Sequence, residues 1–266
     1  MEMKSAYSFE DFEEIIRRLR AKDGCPWDRV QTHESLRDCM IEEAYEVVDG
    51  IDTYRDCGDD TNLCEELGDV LLQVVMHARI AEEEGRFSME DVLRGISEKM
   101  IRRHPHVFGS ENADTPEQVL ENWEDIKKQE KHEETVTEGM RRVAKSLPAN
   151  IRAAKVQKKA AKVGFDFADY REAADKIEEE LQEVMEAVKK GKKSEIFEEF
   201  GDLMFSAVNL SRFLDINAEN TLTNVTEKFI NRFEYIEEKA VTKGFELKDM
   251  SIQQMDALWN EIKHLY

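Results

Sequence analysis

Carboxylates at helical spacing occur twice along this chain. Glu43 and Glu46 are three residues apart, as are Glu66 and Asp69, and the pattern returns as Glu180 with Glu183 and Glu199 with Asp202. Residues three apart share one helix face, so two such helices side by side would converge four carboxylates. An all-oxygen set favours a hard cation, Mg2+ or Mn2+. Spacing alone is weak support, because 59 of 266 residues are acidic, and a solvated charged face is the ordinary meaning of such a run. The neighbours carry more weight. Asp69 lies among Leu67, Val70, Leu71 and Leu72, and Asp202 among Leu203, Met204 and Phe205. Carboxylates there are expected to be partly buried, which is costly unless they are paired or bound to metal. Gly68 and Gly201 precede the two aspartates. A mid-helix glycine costs about 1 kcal/mol relative to alanine, so both are expected to permit close approach of another backbone or a ligand.

Cations and aromatics repeat as well. Lys99 and Arg103 are four apart, as are Lys228 and Arg232. Each pair could clamp phosphates, the arginine as a planar fork and the lysine as a point charge; ordinary ion pairing with nearby glutamates is the alternative. Trp123 precedes Lys127 by four, and Trp259 precedes Lys263 by four, so an aromatic and a cation could flank one ligand. Trp27 and its rough counterparts Phe165 and Phe167 are candidate base-stacking surfaces. For each aromatic, core packing is the competing use. Acid cluster, cations and aromatics together are equipment for metal-assisted phosphoryl or nucleotidyl transfer. No Walker A loop or GxGxxG fingerprint occurs. A ferritin-like di-iron site needs two Glu-x-x-His motifs, and only Glu261 with His264 offers one.

The elements that must position these residues are helices. Glycine and proline together number 16, charged residues make up 36% and hydrophobic residues 41%. That composition excludes low-complexity disorder and argues against a turn-rich sandwich or barrel. Apolar positions 9, 12, 15, 16 and 19 have the helical period. Leu36 to Ile51 and Leu63 to Glu84 read as the acid-bearing helices of the first half, with Arg55 to Asn62 as a loop between them. Gly85 suits a helix end. Ser88 suits an N-cap for a helix that runs to Arg103 and is closed by Pro105. The same blocks recur in the same order in the second half, where Pro148 is expected to open a helix. The expected organisation is all-α, two tandem four-helix-type bundles at 1–135 and 136–266.

A net charge of −21 argues against a nucleic-acid surface. No apolar run is long enough for a transmembrane helix, and no apolar signal segment opens the chain. Cys25, Cys39, Cys57 and Cys64 lack zinc-site spacing, so reduced thiols in a cytoplasmic protein are expected.

Gly24-Cys25-Pro26-Trp27-Asp28, Glu42-Glu43-Ala44-Tyr45-Glu46, Glu65-Glu66-Leu67-Gly68-Asp69 and Arg102 to Phe108 resemble the MazG nucleoside triphosphate pyrophosphohydrolases. So do Ser146-Leu147-Pro148, Val163 to Asp166 and the second pair of acid motifs. The resemblance runs over nearly the whole chain in tandem. It implies an all-α NTP pyrophosphatase fold, Mg2+-dependent hydrolysis of an NTP or dNTP to the monophosphate and pyrophosphate, and homodimers whose sites form where bundles pair. It implies nucleotide-pool house-cleaning and favours the second half for turnover. There Glu180, Glu183, Glu199 and Asp202 would hold Mg2+, and Lys176, Glu179, Glu198, Lys228, Arg232, Trp259 and Lys263 would line the nucleotide. The first half keeps Glu43, Glu46, Glu66 and Asp69 for metal, with Glu42, Lys99, Arg103, Trp123 and Lys127 as a second site. Three alternatives stay open at this point: a pyrophosphatase restricted to dUTP, dCTP or a phosphoribosyl nucleotide, a regulatory nucleotide-binding or dimerisation module without turnover, and a purely structural helical scaffold.

Overall fold

Short polar caps and left-handed glycines set where the helices begin and end. In the computed structural model, described for residues 3–110, 112–113, 115–131 and 135–263 without the side chains of 120, 121, 124, 125, 127–129 and 131, no strand occurs among the described residues. The chain is all-α and divides into two compact units, 1–130 and 131–266.

The first unit contains α1 (Phe9–Leu19), α2 (Pro26–Arg29), α3 (Arg37–Cys57), α4 (Thr61–Glu83), α5 (Met89–Arg103), α6 (Pro105–Phe108) and α7 (Pro116–Lys131). The second contains α8 (Val136–Arg141), α9 (Ala149–Ala161), α10 (Tyr170–Lys190), α11 (Lys193–Phe213), α12 (Ala218–Thr242) and α13 (Ile252–Lys263). Ser8 and Ser88 each form a reciprocal capping box with an aspartate three residues on, which satisfies two otherwise orphaned backbone donors. Asp169 and Asn217 cap α10 and α12 through their side-chain oxygens.

Each acid-bearing hairpin turns on a glycine. Gly58 ends α3 at φ 76° and Gly191 ends α10 at φ 72°, a region closed to most side chains by their Cβ. Consequently α3 runs to Cys57, beyond the Ile51 expected from sequence, and the expected loop from Arg55 shrinks to the residues around Gly58. Arg55 holds the added turn by pairing with Asp52 at 2.6 Å and Asp56 at 2.8 Å. Pro105 also departs from expectation, because it starts the short α6 as well as following α5. Pro148 sits just before α9, at its N-cap.

In the first unit α3 and α1 both pack on α4. Ile16, Leu36, Val75, Met76 and Ile80 form the core there, flanked by Phe9, Phe12, Leu19 and Leu72. Each such side chain contributes roughly 1.5–3 kcal/mol when fully buried. In the second unit α10 packs on α11, α9 lies against α11, and α12 packs on α13 and α9. Both hairpins leave apolar residues exposed, including Tyr45, Val48 and Leu67 in the first and Leu181, Met185, Val188 and Phe200 in the second.

Gly50 lies where the two helices of the first hairpin press together. A Cβ there would meet Leu63 Cα at 2.9 Å. Gly50→Ala is therefore expected to destabilise the chain by about 1–3 kcal/mol, the usual overpacking cost, read as a lower denaturation midpoint. An unchanged midpoint would show that the crossing relaxes freely.

Candidate functional site

The second unit shows how the acids come together. Lys176, Glu179, Glu180 and Glu183 occupy successive turns of α10, and Glu198, Glu199 and Asp202 lie on α11. Carboxylate oxygens of Glu180, Glu199 and Asp202 fall within 4.8 Å of one another. Glu180 is only 5% exposed, and its Oε2 is buried with no hydrogen-bond partner. An unpartnered buried carboxylate oxygen is costly. Lys176 supplies a nearby countercharge, with its ammonium 2.8 Å from Glu180 and 2.9 Å from Glu179. Hydrogen bonds to Glu179 and Glu180 hold that ammonium well above the ordinary lysine range. Burial, then the charges of Glu180 and Glu199, push the Glu183 carboxyl up. Asp202 is exposed, not partly buried as expected, because the apolar residues around it on α11 are themselves largely uncovered.

In the first unit Glu43, Glu46 and Glu66 approach within 4.8 Å, and Asp69 is half-buried beside them. Burial raises the Glu43 pKa, with Asp69 and Glu46 adding repulsion and a hydrogen bond to Gln73 opposing it. Burial raises Glu66 too, followed by the charges of Glu46 and Asp69. The residue one turn before Glu43 is Cys39, uncharged, where the second unit has Lys176. Such groups suit a divalent cation in both units, since each set is oxygen-only. Gly68 and Gly201 do not serve a close approach within their own units: nothing lies within 4 Å of a Cβ built on either. Glu42, Glu179 and Glu198 are exposed at the flanks of these clusters.

The cations and aromatics meet on other helices. Arg232 lies over the Trp259 ring at 5.5 Å, and Phe229 packs against the same ring at 5.2 Å. Arg103 lies over Trp123 at 5.2 Å. Each tryptophan thus takes an arginine from a neighbouring helix, a pairing that spacing within its own helix does not predict. Lys263 is exposed, and the side chain of Lys127, like His264, lies outside the described residues. Arg102 and Arg103 both bind Glu130, and their hydrogen bonds pull its carboxyl down to about 2. Arg232 differs, because its Nε is buried without a hydrogen-bond partner. Lys228 is exposed and Lys99 half-buried. Among the described residues, no hydrogen bond or ion pair joins Lys228 or Arg232 to the acid cluster.

Two glutamines carry no signal in the sequence, one beside the first acid cluster and one against α11. Gln73 touches Glu43, and Gln157 donates to the Phe205 carbonyl at 2.8 Å. Sequence reading also missed the stacked His33 and His77 rings, whose Nδ1 atoms are 2.8 Å apart. The arginine–tryptophan pairs were open to discovery, because both members recur in both halves in the same order.

The model of the MazG nucleotide pyrophosphohydrolase domain matches residues 31–108 and 169–236. A Thermotoga maritima protein named nucleoside triphosphate pyrophosphohydrolase/pyrophosphatase MazG is 46% identical over 255 residues, covering 96% of this chain and 95% of that one. The chain belongs to the MazG family. An Escherichia coli protein named nucleoside triphosphate pyrophosphohydrolase is 40% identical over 94% of each chain. Bacillus subtilis YabN is 50% identical over 97% of this chain but only 52% of its own length, so the tandem MazG unit also occurs within a longer protein. The two matched segments contain both acid clusters and both lysine–arginine pairs, while Trp123 and Trp259 lie outside them.

Repulsion in the first cluster has a measurable sign. A carboxyl whose pKa is raised on folding destabilises the native state above that folded-state pKa, and the penalty fades as pH falls through it toward the unfolded value. Glu43→Gln, measured in EDTA, is thus expected to raise the melting temperature by a few degrees at pH 7.5 and by less at pH 5. Equal shifts at both values would mean that the ionised Glu43 carboxylate, penalised by burial and by its neighbours, is not the cause.

Proposed function

We propose that this chain hydrolyses nucleoside triphosphates to the monophosphate and pyrophosphate, with a divalent cation held by Glu180, Glu183, Glu199 and Asp202. The observation that carries this reading is the buried Glu180 carboxylate, whose Oε2 has no hydrogen-bond partner, in a group with Glu199 and Asp202 whose oxygens lie within 4.8 Å of one another. That donor set fits Mg2+ or Mn2+. The printed names of the Thermotoga and Escherichia relatives support the same chemistry.

The cation, when bound, supplies charge neutralisation for the triphosphate and polarises the attacking water. A carboxylate of the cluster accepts the proton from that water. The α–β anhydride bridge breaks as the new P–O bond forms, and the pyrophosphate carries the released charge. Arg232 and Lys228 stabilise that charge, Arg232 with an Nε that has no protein partner. Arg103 is already committed to Glu130, which supports the second half as the place of most turnover. Glu43, Glu46, Glu66 and Asp69 form a second candidate cation site. House-cleaning of nucleotide pools in the cytoplasm follows from the family reading.

A second copy of the chain is the partner that fits the bare hairpin faces. Leu181, Met185, Val188 and Phe200 form an exposed apolar stripe beside the acids, and the open space at Gly201 leaves room for another helix. Val188→Glu is expected to shift the sedimentation mass from dimer toward monomer; a monomeric wild type would remove the proposal.

Turnover is tested by pyrophosphate release from the common NTPs and dNTPs, with Mg2+ and with EDTA. Release is expected only with Mg2+, with a loss of roughly 100-fold or more in Glu180→Gln/Glu183→Gln. The Glu43→Gln/Glu46→Gln chain is expected to retain most activity. The reverse pattern would move the active site to the first half, and activity surviving in both variants would sink the assignment.

A further inference from the structure

The second unit contains an apolar cavity of about 440 Å³ between α8, α9, the turn that follows α9, and α11. That is within the usual size of small-molecule pockets. Phe165, Phe167 and Phe205 give it aromatic walls, and Gln157 and Asn209 give it polar groups. The wall is built by a specific turn. Gly164 closes α9 at φ 83°, with the Phe165 N–H bonded to Ala160 O and the Gly164 N–H to Ala161 O, a Schellman arrangement. It throws Phe165 outward, leaving it 82% exposed. Asp166 then anchors the turn to α11 through Arg212 at 2.6 Å.

Three observations point to what the cavity takes. First, it lies on the same stripe as a metal-site carboxylate. Asp202, Phe205 and Asn209 fall on one face of α11, with Asn209 about 10 Å along the axis from Asp202 at 1.5 Å per residue. A ribose and its phosphates can span that interval. Second, Gln157 is only 5% exposed, and its Oε1 is buried with no partner. Its amide orientation is fixed because Nε2 must donate to the Phe205 carbonyl, so Oε1 is left as an unsatisfied acceptor on a residue that lines the pocket. Third, Asn209 Oδ1 accepts from Arg212, which leaves its NH2 to donate elsewhere. Aromatic faces beside one acceptor and one donor match the stacking surface and the hydrogen-bonding edge of a heterocyclic base.

The first unit lacks this arrangement. The repeat aligns Phe205 with Leu72 and Asn209 with Met76, since Asp202 aligns with Asp69. Met76 belongs to the core of Ile16, Leu36, Val75 and Ile80, and Leu72 packs against it. A cavity of about 220 Å³ in that unit has no aromatic wall: it is lined by Glu10, Glu13, Glu14 and Glu82 with Arg17, Arg79 and the aliphatic Val75, Ala78 and Met89.

We propose that the Phe165–Phe205–Gln157 cavity is the nucleobase pocket of the second-half site and determines base preference, which the first half cannot reproduce. The inference rests on the nucleotide-hydrolysing reading of the same unit. Phe165→Ala removes an exposed ring at small risk to folding, and Gln157→Met removes the acceptor at nearly constant size. Both are assayed for kcat and KM on ATP, GTP, CTP and UTP with Mg2+. Both are also titrated with the four nucleoside monophosphates in EDTA by calorimetry. The expected result is a rise in KM of about 5-fold or more, the effect of losing one stacking partner. The expected change in kcat is smaller, with a reordered base ranking in Gln157→Met and parallel weakening of monophosphate binding. Normal turnover with unchanged KM, ranking and monophosphate affinity in both variants would overturn the pocket and leave the hydrolase reading intact. No turnover by wild type, with monophosphate binding that still depends on Phe165 and Gln157, would overturn the hydrolase reading and leave the pocket.

Discussion

Carboxylates held within 4.8 Å of one another repel, and the fold depends on a frame stiff enough to hold them there. An antiparallel helix pair closed by a left-handed glycine is that frame in both halves. Backbone hydrogen bonds run the length of each helix, so the backbone positions of the acids stay fixed and only side-chain rotation can separate them. Burial first, and then the neighbouring charges, raise the pKa of Glu43, Glu66 and Glu183 above that of ordinary carboxyls. A site that resists its own charge is prepared for a cation, in keeping with the usual exchange of stability for function.

The two halves solve the same problem with different surroundings. The second places an ammonium against its most buried acid, leaves an arginine Nε without a partner and keeps an aromatic cavity further along the same helix. The first has a thiol in place of the ammonium, ties its arginine to Glu130 and fills the corresponding space with core side chains. Duplication supplied two scaffolds, and the side chains packed around them differ far more than the acid motifs themselves.

Much of this was legible in the sequence, and the limits have physical causes. The acid spacing, the repeated order of motifs and the Ser88 cap follow from short-range rules, and three of the four acids expected in each half do converge, with Asp69 and Glu183 falling outside the 4.8 Å groups. Asp202 was misjudged because its apolar neighbours were assumed to be covered, whereas Met204 and Phe205 remain exposed within the chain. The pairing of each tryptophan with an arginine could not follow from spacing within one helix, because the partners come from different helices. The unpartnered oxygen of Gln157 depends on a tertiary contact with Phe205, and no local pattern encodes it.

The Gly58 and Gly191 hairpins also limit how this chain can change length. Glu43 and Glu66 are 23 positions apart, and Glu180 and Glu199 are 19 apart. The difference of four is close to one turn of 3.6 residues, and it appears as the extra turn at the end of α3. An insertion of one or two residues there would swing the acids on α3 roughly 100° or 200° away from their partners. The arms of such a hairpin can therefore lengthen only in whole turns, so the phase of the helix acts as a filter on which insertions and deletions the chemistry survives.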